Sequence, residues 1–210
     1  MDAPKRTKQA QRESSVEALL QAALRLFVHT GFEQTSVDRI AEAAGLSKGA
    51  IYFYFDSKES LLHGLLDQAE EVIVDRMVRT IAGAGPRATD KIAIFINGQA
   101  ELGVTDPDRV LLLILSSLEF HKKDGAIERR VRAIYARMYA ILEDVIELGK
   151  TQGVFRRDLP THVQAAIVVA GHDGTFLEWH RRKESFEGPQ LVRALRAVTL
   201  AGLAADSETH

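Results

Sequence analysis

Residues 35–62 read TSVDRIAEAAGLSKGAIYFYFDSKESLL, and their reading decides the fold. Two short helical patterns lie here, joined by a turn at Gly45. Thr35 is a good N-cap residue, and Asp38 three positions on can reach back to it in the manner of a capping box. Val37, Ile40, Ala41 and Ala44 recur at helical spacing. Gly45 stands just past the last of them, where a left-handed C-cap costs glycine nothing. Ser47 can cap a second helix from Lys48 to about Tyr54. Ala41, Gly45 and Ile51 then supply a small residue at the crossing, a glycine in the turn and an apolar knob behind, as two tightly crossing helices require. The stretch reads as a helix-turn-helix. Corners of this spacing also occur in proteins that bind no DNA, so the surface residues must decide its use.

Ser47, Lys48, Gly49 and Ala50 give the second helix a short, basic, open N-terminus, suited to close approach into a major groove. Tyr52, Phe53, Tyr54 and Phe55 follow in a row. One helical face cannot bury four consecutive rings, so at least one phenol should point outward, where a tyrosine hydroxyl is a common donor to phosphate. Lys58 opens a third helix with a cation, after capping positions at Asp56 and Ser57.

The aromatic run Tyr52–Phe55, followed by Ser57-Lys58-Glu59 and the pair Leu61-Leu62, resembles the N-terminal domain of the TetR family of one-component transcriptional regulators. The similarity covers about residues 14–66. It implies that Thr35 or Ser36, Tyr52 and Lys58 contact phosphates and that Ser47 to Ala50 face base edges. Tyr54 stands where the family often has a histidine, and it joins the candidate DNA-binding residues.

With 210 residues, 46% hydrophobic and 27% charged, the chain can bury a substantial core. No apolar run approaches the ~20 residues of a membrane span, and the first residues lack the apolar core of a secretory signal. A cytoplasmic location is expected. Zero cysteines exclude disulfides, thiolate catalysis and cysteine zinc sites. The net charge of −2 decides little about nucleic acid, because local placement sets the field that a phosphate meets. Lys5, Arg6, Lys8 and Arg12 carry no acid among them: residues 1–13 read as a solvated basic tail, or as an arm adding phosphate or minor-groove contacts. The doublets Arg129-Arg130 and Arg156-Arg157 and the run Arg181-Arg182-Lys183 read as solvated faces or helix ends.

Ser14 with Glu17 opens a first helix whose stripe is Val16, Leu19, Leu20, Ala23, Leu26 and Phe27, ended by Gly31. From Asp56 a longer helix runs to about Ala82, and Gly83-Ala84-Gly85-Pro86 breaks it as a hinge. Asp106-Pro107 begins VLLLILSSLEF, apolar nearly all round and therefore expected at the centre of a bundle. Asp124 begins a long amphipathic helix, Thr161 another, and Pro189 the last. No alternating strand pattern appears. The expected fold is all-α with about nine helices: a helix-turn-helix DNA-binding domain over 14–56, then a helical effector-binding and dimerisation domain over 57–210.

The second half carries polar and aromatic residues on apolar stripes. These are Gln99 beside Phe95, Glu119 at the end of the apolar helix, Tyr135 and Tyr139, and Gly171-His172-Asp173-Gly174 before Phe176. At about 100° per residue, His172 shares a face with Val168, Val169, Phe176 and Trp179. An unpaired buried carboxylate costs several kcal/mol, so Asp173 needs a donor, a partner chain or solvent. Phe95, Gln99, Glu119, Tyr135, Tyr139, His172, Asp173 and Phe176 are the candidate lining of an internal cavity for an apolar, aromatic or acyl compound. The competing reading is a filled core whose polar groups satisfy one another.

No catalytic triad near a glycine elbow, phosphate loop, HExxH or GxGxxG occurs, so no enzyme, metal or cofactor is expected. The leading expectation is a homodimeric repressor on a two-fold symmetric DNA site, released by a small apolar effector. The alternative is a DNA-bound, protein-recruiting adaptor of the same fold without an effector. An enzyme centred on His172 and Asp173 is a third class. The helices at 161–179 and 189–205 are the expected dimer surface.

Overall fold

The computed structural model describes residues 8–182 and 185–205, and among these the protein is all-α apart from turns and one isolated bridge between Phe155 and Ala204. Helix α1 spans Lys8–His29, α2 Val37–Ala43 and α3 Lys48–Tyr54. Helix α4 is continuous in three parts: Lys58–Glu70, a π-helical turn over Glu71–Asp75, and Arg76–Ala82. Then come α5 Ala88–Thr105, α6 Pro107–Glu119, α7 Ala126–Thr151, α8 Thr161–Arg182 and α9 Gly188–Leu203. These make nine helices among the described residues. They form two compact units, one from the described part of 1–69 with 108–131, the other from 70–107 with the described part of 132–210.

In the first unit α1 buries Leu19, Leu20, Ala23, Leu24 and Phe27, each leucine and the phenylalanine contributing about 1.5–3 kcal/mol. It begins at Lys8, earlier than Ser14, so Lys8 and Arg12 are helical residues while Lys5 and Arg6 lie outside the described residues. Glu17 does not cap; its carboxylate accepts from Gln21 one turn on, at 2.8 Å. Gly31, at φ +98°, ends the helix in a conformation that favours glycine. The chain then folds Phe32 back onto Phe27, with ring centroids 5.0 Å apart, and onto Phe120, at 5.2 Å.

Thr35 corrects the expected cap. Its side chain is in the interior at 2% exposure, with its hydroxyl shared between the carbonyls of Gly31, at 2.7 Å, and Leu26, at 3.3 Å. The N-cap of α2 is Ser36, whose Oγ accepts from the Arg39 amide. At the start of α4, Ser57 and Ser60 exchange amide-to-hydroxyl bonds of 3.1 Å each. Helix α6 is less enclosed than its composition suggests: Val110 to Ile114 are buried, but Leu115 and Leu118 are exposed. Asp124 belongs to the turn before α7, with a left-handed backbone, and its amide and that of Lys122 donate to the buried Glu128 carboxylate.

In the second unit α9 packs on α8 and α5, and the last part of α4 packs on α5. The segment read as a hinge is anchored at its far end. Gln152 Nε2 donates to the Pro86 carbonyl, and Gln152 Oε1 accepts from the Ala88 amide at 3.0 Å. Helix α7 ends against Phe155; a Cβ at Gly149 would lie 2.0 Å from that ring, so the position requires glycine. The Gln99 amide donates to the Ile73 carbonyl within the π-helical turn, at 3.3 Å.

Candidate nucleic-acid interface and effector cavity

The turn between α2 and α3 closes as a Schellman motif. Leu46 N–H donates to Ala41 at 2.9 Å and Gly45 N–H to Glu42 at 3.0 Å, with Gly45 at φ +68°. Buried Ile40, Ala41 and Ile51 hold the two helices together. Ser47 Oγ accepts from the Ala50 amide and so caps α3. Lys48 Nζ bridges both oxygens of Asp38, at 2.8 and 3.1 Å, and that bond raises its ammonium above the usual lysine value. Ser36, Ser47, Lys48 and Gly49 are exposed, and Ala50 is half-buried.

Of the four consecutive rings, Tyr52 and Phe53 point outward, and Phe53 is 76% exposed. Tyr54 is half-buried and meets the Phe53 ring edge-on at 4.9 Å. Phe53 was missed in the sequence, where the expected outward ring was a phenol. Lys58 is half-buried: its Nζ donates to the Phe32 carbonyl at 2.8 Å and lies 4.2 Å from the centre of that ring. Thr35 offers no surface to a ligand, because its hydroxyl closes the turn between α1 and α2.

The second unit contains a cavity of about 390 Å3 between α5, α8 and α9. Ile96, Val104, Phe176, Trp179, Leu191 and Leu195 form most of its wall, and Gln99, His172, Thr175 and Arg193 are polar members. A smaller cavity of about 250 Å3 lies between α4 and α5, lined by Phe95, Gln99 and Met77 among others. Gln99 is on both walls. His172 is only 6% exposed; its Nδ1 lies 3.0 Å from Asp173 Oδ1, and its ring packs edge-on to Phe95. The Tyr135 hydroxyl donates to Asp173 Oδ2 at 3.4 Å. Tyr139 sits beside Tyr135, and burial, then the Asp173 charge, push its phenol above the ordinary value.

The expected lining therefore divides. Gln99, His172 and Phe176 reach the larger cavity, Phe95 and Gln99 the smaller, and Tyr135, Tyr139 and Asp173 form a polar cluster behind His172. Glu119 lies in the other compact unit, at the end of α6, and lines neither cavity. Leu191 and Leu195 lie on the last helix, which the sequence reading gives to the dimer surface, and the structure sets both on the cavity wall. Among the described residues no cluster of side chains could hold a metal ion, and no helix is long and apolar enough to cross a membrane.

A capped, outward-facing helix-turn-helix ahead of a helical unit with an apolar cavity defines a helix-turn-helix regulator. Residues 19–65 match the family described as bacterial regulatory proteins, tetR family, and residues 66–202 match the YsiA-like protein C-terminal region. The chain belongs to the TetR family of DNA-binding transcriptional regulators, which are not enzymes. The crystal structure of the MbdR regulator from Azoarcus sp. CIB is 49% identical, with a TM-score of 0.82 over 90% of this chain and 98% of that one. The fatty acid metabolism regulator protein of Bacillus subtilis (strain 168) is 22% identical over 193 residues, 92% of this chain and 97% of its own. The structure of FadR from Bacillus subtilis in complex with stearoyl-CoA shares the fold, at 22% identity and a TM-score of 0.75, over 89% of this chain and 98% of that chain.

Proposed function

We propose that this regulator is a cytoplasmic homodimeric repressor that leaves a two-fold symmetric operator when a small, largely apolar aromatic or acyl compound enters the cavity of the second unit. The observation that carries the reading is the cavity itself: about 390 Å3, mostly apolar, with a few polar groups convergent on it. A relative that holds an acyl-CoA in the same fold supports the acyl end of that class. The adaptor alternative calls for a filled core and is disfavoured by the open volume.

On the DNA side, Ser47, Lys48, Gly49 and Ala50 approach base edges, while Ser36, Tyr52, Tyr54 and Lys58 serve phosphates. A dimer needs an apolar seam, and α8 and α9 offer one. Val163, Ala166 and Ile167 are exposed on α8, and Val198 is 72% exposed on α9. Gly174 has open space around it, whereas Gly171 is occupied within the chain by Leu195. Two heads must lie ~34–36 Å apart to enter successive major grooves. A ligand that binds only another spacing shifts the population away from DNA.

The test is selection of bound DNA from a random pool, followed by compound-induced release in a mobility-shift assay. Recovery of a palindromic site and its release by apolar aromatic or acyl compounds is expected. A site bound by monomers, or one that no such compound releases, would sink the reading. Val198→Arg should yield a helical monomer with lost operator affinity; an unchanged dimer in sedimentation would move the seam elsewhere.

A further inference from the structure

On the wall of the larger cavity Gln99 Oε1 and His172 Nε2 are both acceptors without a donor among the described residues, and His172 is the one whose acceptor is set by a neighbouring carboxylate. His172 is about nineteen-twentieths buried, at 6% exposure, yet its Nε2 has no hydrogen-bond partner among the described residues. Its other ring nitrogen is committed, with Nδ1 lying 3.0 Å from Asp173 Oδ1. The second oxygen of that carboxylate accepts from the Tyr135 hydroxyl. A carboxylate can only accept, so the bond to Asp173 requires the proton on Nδ1. A neutral imidazole then presents a bare lone pair at Nε2. The ring cannot turn freely, because Phe95 packs edge-on against it with centroids 6.0 Å apart. On the wall of an open cavity Nε2 is within reach of water, and a donor on a bound compound takes that place.

We infer that His172 Nε2 is a hydrogen-bond acceptor of the effector cavity and that Asp173 is the positioning residue that fixes it as one. The cavity therefore selects apolar compounds carrying a hydroxyl or phenol over compounds of the same shape that can only accept. This rests on the reading of the cavity as the effector site, and it adds the polarity of the group recognised there.

The test is calorimetric titration of the full-length protein, without DNA, with 2-naphthol, 2-methoxynaphthalene and 2-acetylnaphthalene. The naphthol should bind up to about tenfold more tightly than the other two, the span of one net hydrogen bond. In Asp173→Asn the Tyr135 hydroxyl holds the new carbonyl oxygen, so the amide N–H2 faces His172 and drives the ring proton to Nε2. The order should then reverse in favour of 2-acetylnaphthalene. A purely structural role for Asp173 would weaken all three alike, and that result overturns the assignment. In His172→Phe the three should bind equally. Equal binding to the unsubstituted protein, or a preference there for 2-acetylnaphthalene, overturns the proposal and leaves effector-driven release standing. Tight, selective binding of 2-naphthol by a protein that no compound releases from DNA does the reverse. Failure of all three to bind overturns both.

Discussion

The helix-turn-helix face and the cavity handle polar groups in opposite ways. On the first, the serine hydroxyls are satisfied within a turn of the chain. Ser36 bonds Arg39, Ser47 bonds Ala50, and Ser57 bonds Ser60, each three residues apart. Around the second, partners come from far along the sequence. Gln99 reaches Ile73 across 26 residues, and Tyr135 reaches across 38 to Asp173, which also holds its neighbour His172. The DNA-binding face is thus a locally encoded shape presented outward, whereas the cavity exists only once distant helices have packed. Damage to packing should therefore remove effector binding outright, while single changes on the face should tune DNA affinity by degrees.

The largest effect is expected where that contrast is easiest to break. Phe155 is fully buried against Gly149 at the end of α7. Phe155→Ala should cost about 3–5 kcal/mol, and Gly149→Val should fail in a similar way because its branch has no room. Both should abolish binding of 2-naphthol in calorimetry. Retained binding at the original affinity would show that the cavity does not depend on this anchor.

Next comes Thr35→Val, which keeps the shape but removes the hydroxyl that serves Gly31 and Leu26. A loss of about 1–3 kcal/mol is expected, read as a lower midpoint of thermal unfolding. DNA affinity should fall alike for all sequences. A change of sequence preference with unchanged stability would return Thr35 to the DNA contacts.

Lys58 sharpens the comparison, since it is the proposed phosphate contact whose ammonium is already bonded to the Phe32 carbonyl. If it reaches phosphate in the complex, Lys58→Ala should weaken all sites equally and reduce the slope of log affinity against log salt by about one. An unchanged slope with a lowered melting point would assign it to the turn at Phe32 alone.

The same contrast explains what the sequence disclosed. The helix-turn-helix was legible because its determinants are short-range: Gly45 after Ala44, Ser47 before Lys48, and Ile51 behind. Even there Thr35 and Ser36 were interchangeable by type, and burial of the first could only come from its fold onto α1. The cavity was legible in composition but not in membership. His172 and Gln99 stand out as polar groups on an apolar stripe and Phe176 shares the His172 face, and the structure sets all three on the cavity wall. Leu191 and Leu195 did not stand out, because periodicity cannot separate an apolar face turned to a cavity from one turned to a partner. Glu119 went wrong for a related reason: it follows the most apolar run, but that run is buried in the other unit.

The smallest expected effect lies on the face itself. Lys48 is the cation among the proposed base-contacting residues, and Asp38 holds it through both carboxylate oxygens. The pair is exposed, so its contribution to folding is slight. Its consequence for DNA is larger, since Asp38 neutralises a cation that would otherwise meet the anionic duplex and brings a negative charge toward it. Asp38→Asn keeps a polar side chain in the first turn of α2 and leaves the Ser36 cap untouched. It should leave the melting temperature nearly unchanged, because the loss of an acid at a helix N-terminus is worth about 0.3–1 kcal/mol at most. Operator affinity should rise, and the salt slope should steepen by about one as Lys48 becomes free to displace a counterion. Fluorescence anisotropy on a labelled operator at several salt concentrations measures both. If affinity falls instead, with the slope unchanged, Asp38 orients Lys48 toward its base, and the pair is part of the reading head and not a restraint on it.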